Sequence, residues 1–285
     1  MKRIFILLLL LSFLSPAALS DSYNIGGTKL DIPAPAGYVR VTPQMGTVYR
    51  YLMQLQDQQN DILAYFILQE DASKVTEGAL PQLSKYFIAK VNKQLKSAIV
   101  SSKEFADLQR VTIEQNKEIF ESLESKIPGL LDNISEGISN EFDIDFAMKV
   151  SQFVPLDVHY TDDNTLSYSM YINYGVTAEG SSEKIILSAT TTFLNTAGKV
   201  IFLYCYAPKA ELQWTRSASK VWADSIVAGN PSAPAQSPGL HRIKWKKVLE
   251  KSIIGAVAGG LTALVVILLK NKRRSGQKTD ASEHN

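Results

Sequence analysis

One uncharged stretch near the C-terminus constrains this chain more than any other feature. From Ser252 to Leu269 the sequence reads SIIGAVAGGLTALVVILL, 18 residues without a charge, bounded by Lys251 and Lys270. As a helix rising about 1.5 Å per residue it would extend roughly 27 Å, close to the ~30 Å hydrocarbon core of a bilayer. Backbone polar groups in lipid must be bonded internally, so a helix is the state such a segment adopts there. The sequence therefore predicts a single transmembrane helix over 252–269. Within it Gly255 and Gly259 are four apart, a spacing that lets helices approach closely and would serve a homodimer. The preceding segment 241–251 (HRIKWKKVLEK) is basic. Trp245 suits the headgroup zone, and Lys246 and Lys247 suit anionic lipid, so membrane lipid is an expected partner. The segment reads either as a flanking helix extension with snorkelling lysines or as a lipid-binding stripe.

The N-terminus carries a second apolar run. Lys2 and Arg3 precede Ile4–Leu14, 11 residues that are too short to span comfortably. SPAALS follows, with Pro16 as a helix breaker and Ala18 and Ser20 as small residues before a cut at Asp21. Residues 1–20 read as a signal peptide, with an uncleaved anchor as the alternative. Either way the body is exported, periplasmic or extracellular, and the basic tail 270–285 returns to the cytoplasm. Basic residues flank the 252–269 segment on both sides, so the positive-inside rule alone does not orient it.

Charge is partitioned along the chain. Residues 21–240 hold 18 Lys and Arg against 25 Asp and Glu, a balance of −7, and residues 241–285 hold 10 against 3, a balance of +7. An acidic body disfavours nucleic acid as a partner, since phosphate contacts need clustered cations. Cys205 is the lone cysteine. It excludes an internal disulfide and a cysteine-based zinc site, and it points toward a bacterial exported protein. Residues 229–240 (GNPSAPAQSPGL) read as a Pro/Gly/Ser linker between body and anchor.

Within the body, Leu30–Ile32 and Tyr38–Val41 read as short strands. Thr42-Pro43 reads as a cap and first turn of a helix running to about Leu55. Ile62–Leu68 is a continuous apolar run of strand length. The middle reads as helical. Leu80, Leu83, Phe87, Val91, Leu95 and Ala98 follow helix spacing, and stripes at Phe105–Leu123 and Ile127–Ile138 follow. These stripes would pack on the body's own sheet or form a coiled-coil surface.

The last third turns to strands. Glu141, Asp143 and Asp145 alternate with Phe142, Ile144 and Phe146, which predicts a strand with an acidic strip that is either solvated or a cation site. Leu166–Tyr174 alternates cleanly, Ile185–Leu194 is rich in β-branched residues, and Asn195–Gly198 is a hairpin loop. Val200–Ala207 (VIFLYCYA) is apolar on both faces and predicts a central strand, and Lys209–Ala228 predicts a closing helix. The fold class is α+β: an antiparallel sheet packed by helices, with a helical insertion and the C-terminal single transmembrane helix.

Leu30-Asp-Ile-Pro-Ala-Pro-Ala-Gly-Tyr38 resembles the opening hairpin of the PsbP-like fold, including DcrB-type periplasmic domains. Thr191–Ile226, a hairpin into an apolar strand and then a Trp-containing helix, is similar to the way those domains end. The resemblance implies a noncatalytic α/β sandwich acting as an accessory or binding module. It carries over no functional residues and no cofactor.

Chemistry-bearing motifs are sparse. His159 is the body's histidine. In Asp157-Val-His159-Tyr-Thr-Asp-Asp163, positions 157 and 159 would share a strand face, a general-base pair or half a metal site, with Asp163 as a further ligand. The same residues are ordinary turn composition. No nucleophile elbow, P-loop, dinucleotide fingerprint or HExxH is present. The sequence reads as a single-pass cell-envelope protein with a non-enzymatic binding or assembly module and a protein partner in the envelope. The alternatives are a membrane-tethered hydrolase or metal-dependent enzyme centred on His159, and a carrier of small ligands or lipid.

Overall fold

The computed structural model describes residues 20–76, 81, 83–230 and 243–262 of the 285-residue chain. The expected signal peptide, most of the linker, the distal part of 252–269 and the tail 270–285 lie outside the described residues.

The elements in chain order are β1 (Ser20–Ile25), β2 (Thr28–Pro33), β3 (Tyr38–Arg40), α1 (Gly46–Gln54), β4 (Asn60–Leu68), α2 (Gln69–Thr76) and β5 (Tyr86–Asn92). They continue with α3 (Ser102–Leu123), α4 (Ile127–Phe142), β6 (Phe146–Thr161), β7 (Thr165–Ala178), β8 (Ser181–Thr196), β9 (Lys199–Pro208), α5 (Leu212–Gly229) and α6 (Trp245–Gly260). A seven-stranded antiparallel sheet runs β3-β4-β5-β9-β8-β7-β6, beside a separate β1–β2 hairpin. β9 lies at its centre, as its two apolar faces require. Tight turns join the long strands: Glu179-Gly180 and Ala197-Gly198 all take positive φ, the geometry of primed hairpin turns.

Strand alternation divides the core in two. Along β9, Phe202, Tyr204 and Tyr206 face one side with α1, α3, α4 and α6, and Ile201, Leu203 and Cys205 face the other with α5 and the β1–β2 hairpin. Beneath α5, Trp222 meets Phe87 and Phe66 edge-on, at 5.2 and 5.6 Å between centroids, and its Nε1 donates to the Pro33 carbonyl at 2.8 Å. Two chains of buried hydroxyls complete that contact. Ser167, Thr192 and Ser219 are linked at 2.7 and 2.7 Å, and Ser169, Thr190 and Thr215 at 2.9 and 2.8 Å.

Two expectations are corrected. The helix read over Leu80–Ala98 is β5 across Tyr86–Asn92. Phe87 and Val91 are four apart, which fits a helical stripe but is also an even spacing that fits one face of a strand. β5 pairs with β4 and β9 along its two edges, and both its faces are buried, Tyr86 and Ile88 in one core layer and Phe87, Ala89 and Val91 in the other, which one helix face would not supply. The strand with acids at 141, 143 and 145 is instead the end of α4. Asp143 takes the left-handed conformation at its C-cap (φ 50°), and β6 starts at Phe146. The C-terminal span expected over 252–269 is described only as far as residue 262. No helix among the described residues is long and apolar enough to cross a membrane. Residues 252–262 pack between the sheet and α3, all buried except the partly exposed Ile254. A helix that is apolar all round is satisfied by a protein core as well as by lipid, which is why the sequence pattern reads the same in both cases.

The β1–β2 turn supplies a test of this packing. Gly26 (φ 55°) sits against the Lys96 carbonyl, where an added Cβ would collide with backbone, while Gly27 (φ 88°) opens onto free space. We expect Gly27→Ala to cost about 1 kcal/mol from backbone conformation alone. Gly26→Ala should cost about 3 kcal/mol or more, because the clash adds to it. Urea unfolding midpoints of the two variants measure the difference.

Candidate functional site: a tyrosine-lined groove

The strand register gathers tyrosines on the face that receives α6. Tyr86 of β5 lies opposite Tyr206 of β9, with rings stacked at 4.7 Å and 17°, and Tyr204 stacks on Tyr206 at 6.4 Å. Tyr174 of β7 and Tyr51 of α1 complete the set, and all five are at most 1% exposed. Each donates to a main-chain carbonyl of the C-terminal helix segment: Tyr204 to Ser252 (3.0 Å), Tyr206 to Ala256 (2.8 Å), Tyr174 to Val257 (2.7 Å), and Tyr51 to Leu261 (2.9 Å). Tyr86 reaches the carbonyls of Gly259 (3.2 Å) and Gly260 (3.0 Å). A helical carbonyl has a second lone pair for such a donor, and the last carbonyls of a helix lack an intrahelical partner. Each bond contributes roughly 1 kcal/mol net, and burying the hydroxyl without a partner would cost more.

This approach requires residues without side chains. A Cβ at Gly255 would lie 2.9 Å from Tyr204 Oη, and one at Gly259 would lie 2.5 Å from Tyr206 Oη and 2.8 Å from Ile88 Cδ1. At Gly260 it would fall on Tyr174 Oη. The glycines singled out for helix–helix contact thus face a sheet in this structure. Burial pushes the Tyr51, Tyr174, Tyr204 and Tyr206 hydroxyls well above their ordinary range, so they remain protonated donors at physiological pH.

An ion pair lies at one end of the groove. Lys90 Nζ is 3.0 Å from Asp57 Oδ2, with side chains 0% and 1% exposed, and it also donates to the Gly255 carbonyl at 3.2 Å. Asp57 Oδ1 accepts from the Gln59 and Asn60 amides and from Asn60 Nδ2. Asn60 Nδ2 in turn reaches the Lys251 carbonyl at 3.1 Å. Seven side chains therefore donate to carbonyls between Lys251 and Leu261. None was singled out in the sequence. The available signals were Lys90 inside an apolar strand and the alternation Tyr204-Cys-Tyr206.

The other sequence-derived residues are more scattered. Trp245 is 7% exposed and joins the core at the start of α6, while Lys246 and Lys247 are exposed. Asp157 and Asp163 are exposed, and His159 is half-buried on a stretch of β6 broken by register shifts on both sides of Val158. Its Nδ1 is buried without a hydrogen-bond partner. Burial first, and the Arg216 charge second, lower its pKa from 6.5 to about 4. Asp162 accepts from Tyr160 Oη (2.5 Å) and the Asn164 amide (2.9 Å), which is turn chemistry. Among the described residues no three His, Cys, Asp or Glu side chains are grouped to hold a metal.

No family model matches the chain, and no curated protein matches its sequence. Among solved structures it is similar to cyanobacterial PsbP from Synechocystis sp. PCC 6803. The identity is 9%, covering 77% of this chain and 95% of that one, with a TM-score of 0.27.

Two measurements probe these groups. Lys90→Met leaves the Asp57 carboxylate buried without its counter-ion and should destabilise the fold by about 3–5 kcal/mol in urea unfolding. For His159, the fold favours the neutral imidazole. The unfolded chain takes up a proton near pH 6.5 and the folded one only near 4, so this stability is complete above 6.5 and lost as pH falls toward 4. The unfolding midpoint should fall across that window, and less steeply in His159→Gln.

Proposed function

We propose that this protein is a non-enzymatic, single-pass cell-envelope component whose exported α+β body is a binding module, with the tyrosine-lined groove as its working surface. In this reading residues 1–20 direct export, Ser252–Leu269 anchors the chain in a bilayer, and 270–285 is cytoplasmic. The apolar run and its basic flanks support the anchor. One observation carries the binding role: seven buried side-chain donors converge on the backbone carbonyls of one helix segment. Such a surface recognises a helix by its main chain and by the smallness of one face. The ligand class is therefore an apolar helix with glycine or alanine four apart, and its remaining side chains are free to vary. The His159 region offers no comparable convergence.

The test uses full-length protein cross-linked in its native membranes, affinity-purified and identified by mass spectrometry. The wild type is compared with Tyr204→Phe/Tyr206→Phe, which keeps the rings and removes two donors. An envelope protein should co-purify reproducibly, and its yield should change several-fold in the groove variant. An unchanged yield removes the groove as the binding surface. If instead His159→Ala with Asp157→Ala abolishes the cellular phenotype at normal protein level, the enzymatic alternative replaces this reading.

A further inference from the structure

We propose that the groove and the bilayer compete for the same segment: α6 is a stowed membrane anchor, and the body releases it to a lipid surface. The proposal rests on the anchor reading above and adds that the docked and inserted forms exclude each other. Residues 252–262 are held against the sheet, yet the sequence continues without charge to Leu269 as one apolar run. The carbonyls bonded to the groove belong to Ser252, Gly255, Ala256, Val257, Gly259, Gly260 and Leu261, within that run. A helix cannot keep these bonds and lie in hydrocarbon.

The chemistry of the groove suits exchange. A site built to stay filled is best lined by aliphatic side chains, because emptying it exposes apolar surface that water does not compensate. Here the hydroxyls of Tyr51, Tyr86, Tyr174, Tyr204 and Tyr206, with Lys90 and Asn60, would each find water when α6 leaves. The departing helix keeps its intrahelical bonds, and its last carbonyls would be satisfied in lipid by extension of the helix into the apolar run that follows. Both sides of the exchange therefore retain their hydrogen bonding.

The docked form also presents the means of arrival. Lys244, Lys246 and Lys247 are exposed at the start of α6. They can meet anionic headgroups before any part of the helix leaves the groove. An ion pair between side chains also crosses from α6 to the body, Glu250 with Lys126 at 3.0 Å.

That ion pair gives the test. In full-length Lys126→Cys/Glu250→Cys, a short bis-maleimide bridges α6 to the α3–α4 corner. Cys205 is fully buried and its thiol is held protonated by burial, so the two introduced thiols take the label. Flotation is measured with vesicles of three parts phosphatidylcholine to one part phosphatidylglycerol, and with phosphatidylcholine alone. We expect the unbridged protein to float with the anionic vesicles and the bridged protein to float roughly tenfold less. Tyr204→Phe/Tyr206→Phe, which weakens the groove and leaves the segment untouched, should float roughly tenfold more readily than wild type. Equal flotation of bridged and unbridged protein, or no gain in the tyrosine variant, overturns stowing while leaving the anchor intact. No flotation of any form on either vesicle overturns the anchor reading itself.

Discussion

The arrangement depends on how closely a helix backbone can approach a sheet. At the C-terminal helix, glycines at 255, 259 and 260 remove the side chains that would hold it away, and tyrosine hydroxyls occupy the space. Other features follow from this approach. The strands must place Tyr86, Tyr204, Tyr206 and Tyr174 on one face, which fixes the register of β5, β9 and β7 relative to one another. Lys90 extends the pattern by one more position on β5 and brings a charge into the core. Asp57 then becomes necessary, because a buried ammonium without a counter-ion is far more costly than a paired one. The turn before β4 wraps its amides around that carboxylate for the same reason.

The two faces of the sheet are closed by different chemistry. Beneath α5 the contacts are aromatic edges and pairs of short hydroxyls, and the polar atoms are shared between the sheet and helix side chains. Opening that face would break side-chain pairs on both partners and expose indole and phenyl rings. Beneath α6 side chains of the sheet and of α1 donate to main-chain carbonyls of the helix. The helix contributes no side-chain hydrogen bond to those seven contacts, so its identity enters through shape. The α5 side is thus closed by side-chain pairs, and the α6 side by side-chain donors that meet main-chain carbonyls.

Much of the architecture was legible because it is written locally. β7 follows a period-two pattern, β8 is rich in β-branched residues and β9 is apolar on both faces, with turn residues between them. α3 carries a complete capping box, with Ser101 and Glu104 bonding each other's backbone amides, and α4 a regular stripe. Expectations failed where one pattern serves two structures. A spacing of four at Phe87 and Val91 is compatible with helix and strand, and only the neighbours β4 and β9 decide. The apolar run from Ser252 is likewise compatible with lipid and core, and its sequence does not separate the two. The groove itself was not legible because its parts are distant in sequence: Tyr51 and the carbonyl that it meets are 210 residues apart. Each tyrosine alone looks like an ordinary core aromatic. The His159 cluster shows the converse, a compact polar motif in sequence whose acids point to solvent once β6 kinks around Val158.

Tyrosine is also what sets the helix in a single position. An aliphatic groove would attract an apolar helix at many axial offsets, since dispersion and burial are not directional. Hydroxyls at fixed points on the sheet and α1 must each meet a carbonyl. Sliding the helix by one residue moves it about 1.5 Å and turns it roughly 100°. That turn would carry Ile254 and Ala258 toward the positions that Gly255 and Gly259 now hold, where a Cβ has no room. Hydrogen bonding and steric exclusion thus select the same register independently. A helix with small residues at other spacings would satisfy neither condition, so a surface that ignores most of the helix sequence is still selective for where its glycines fall.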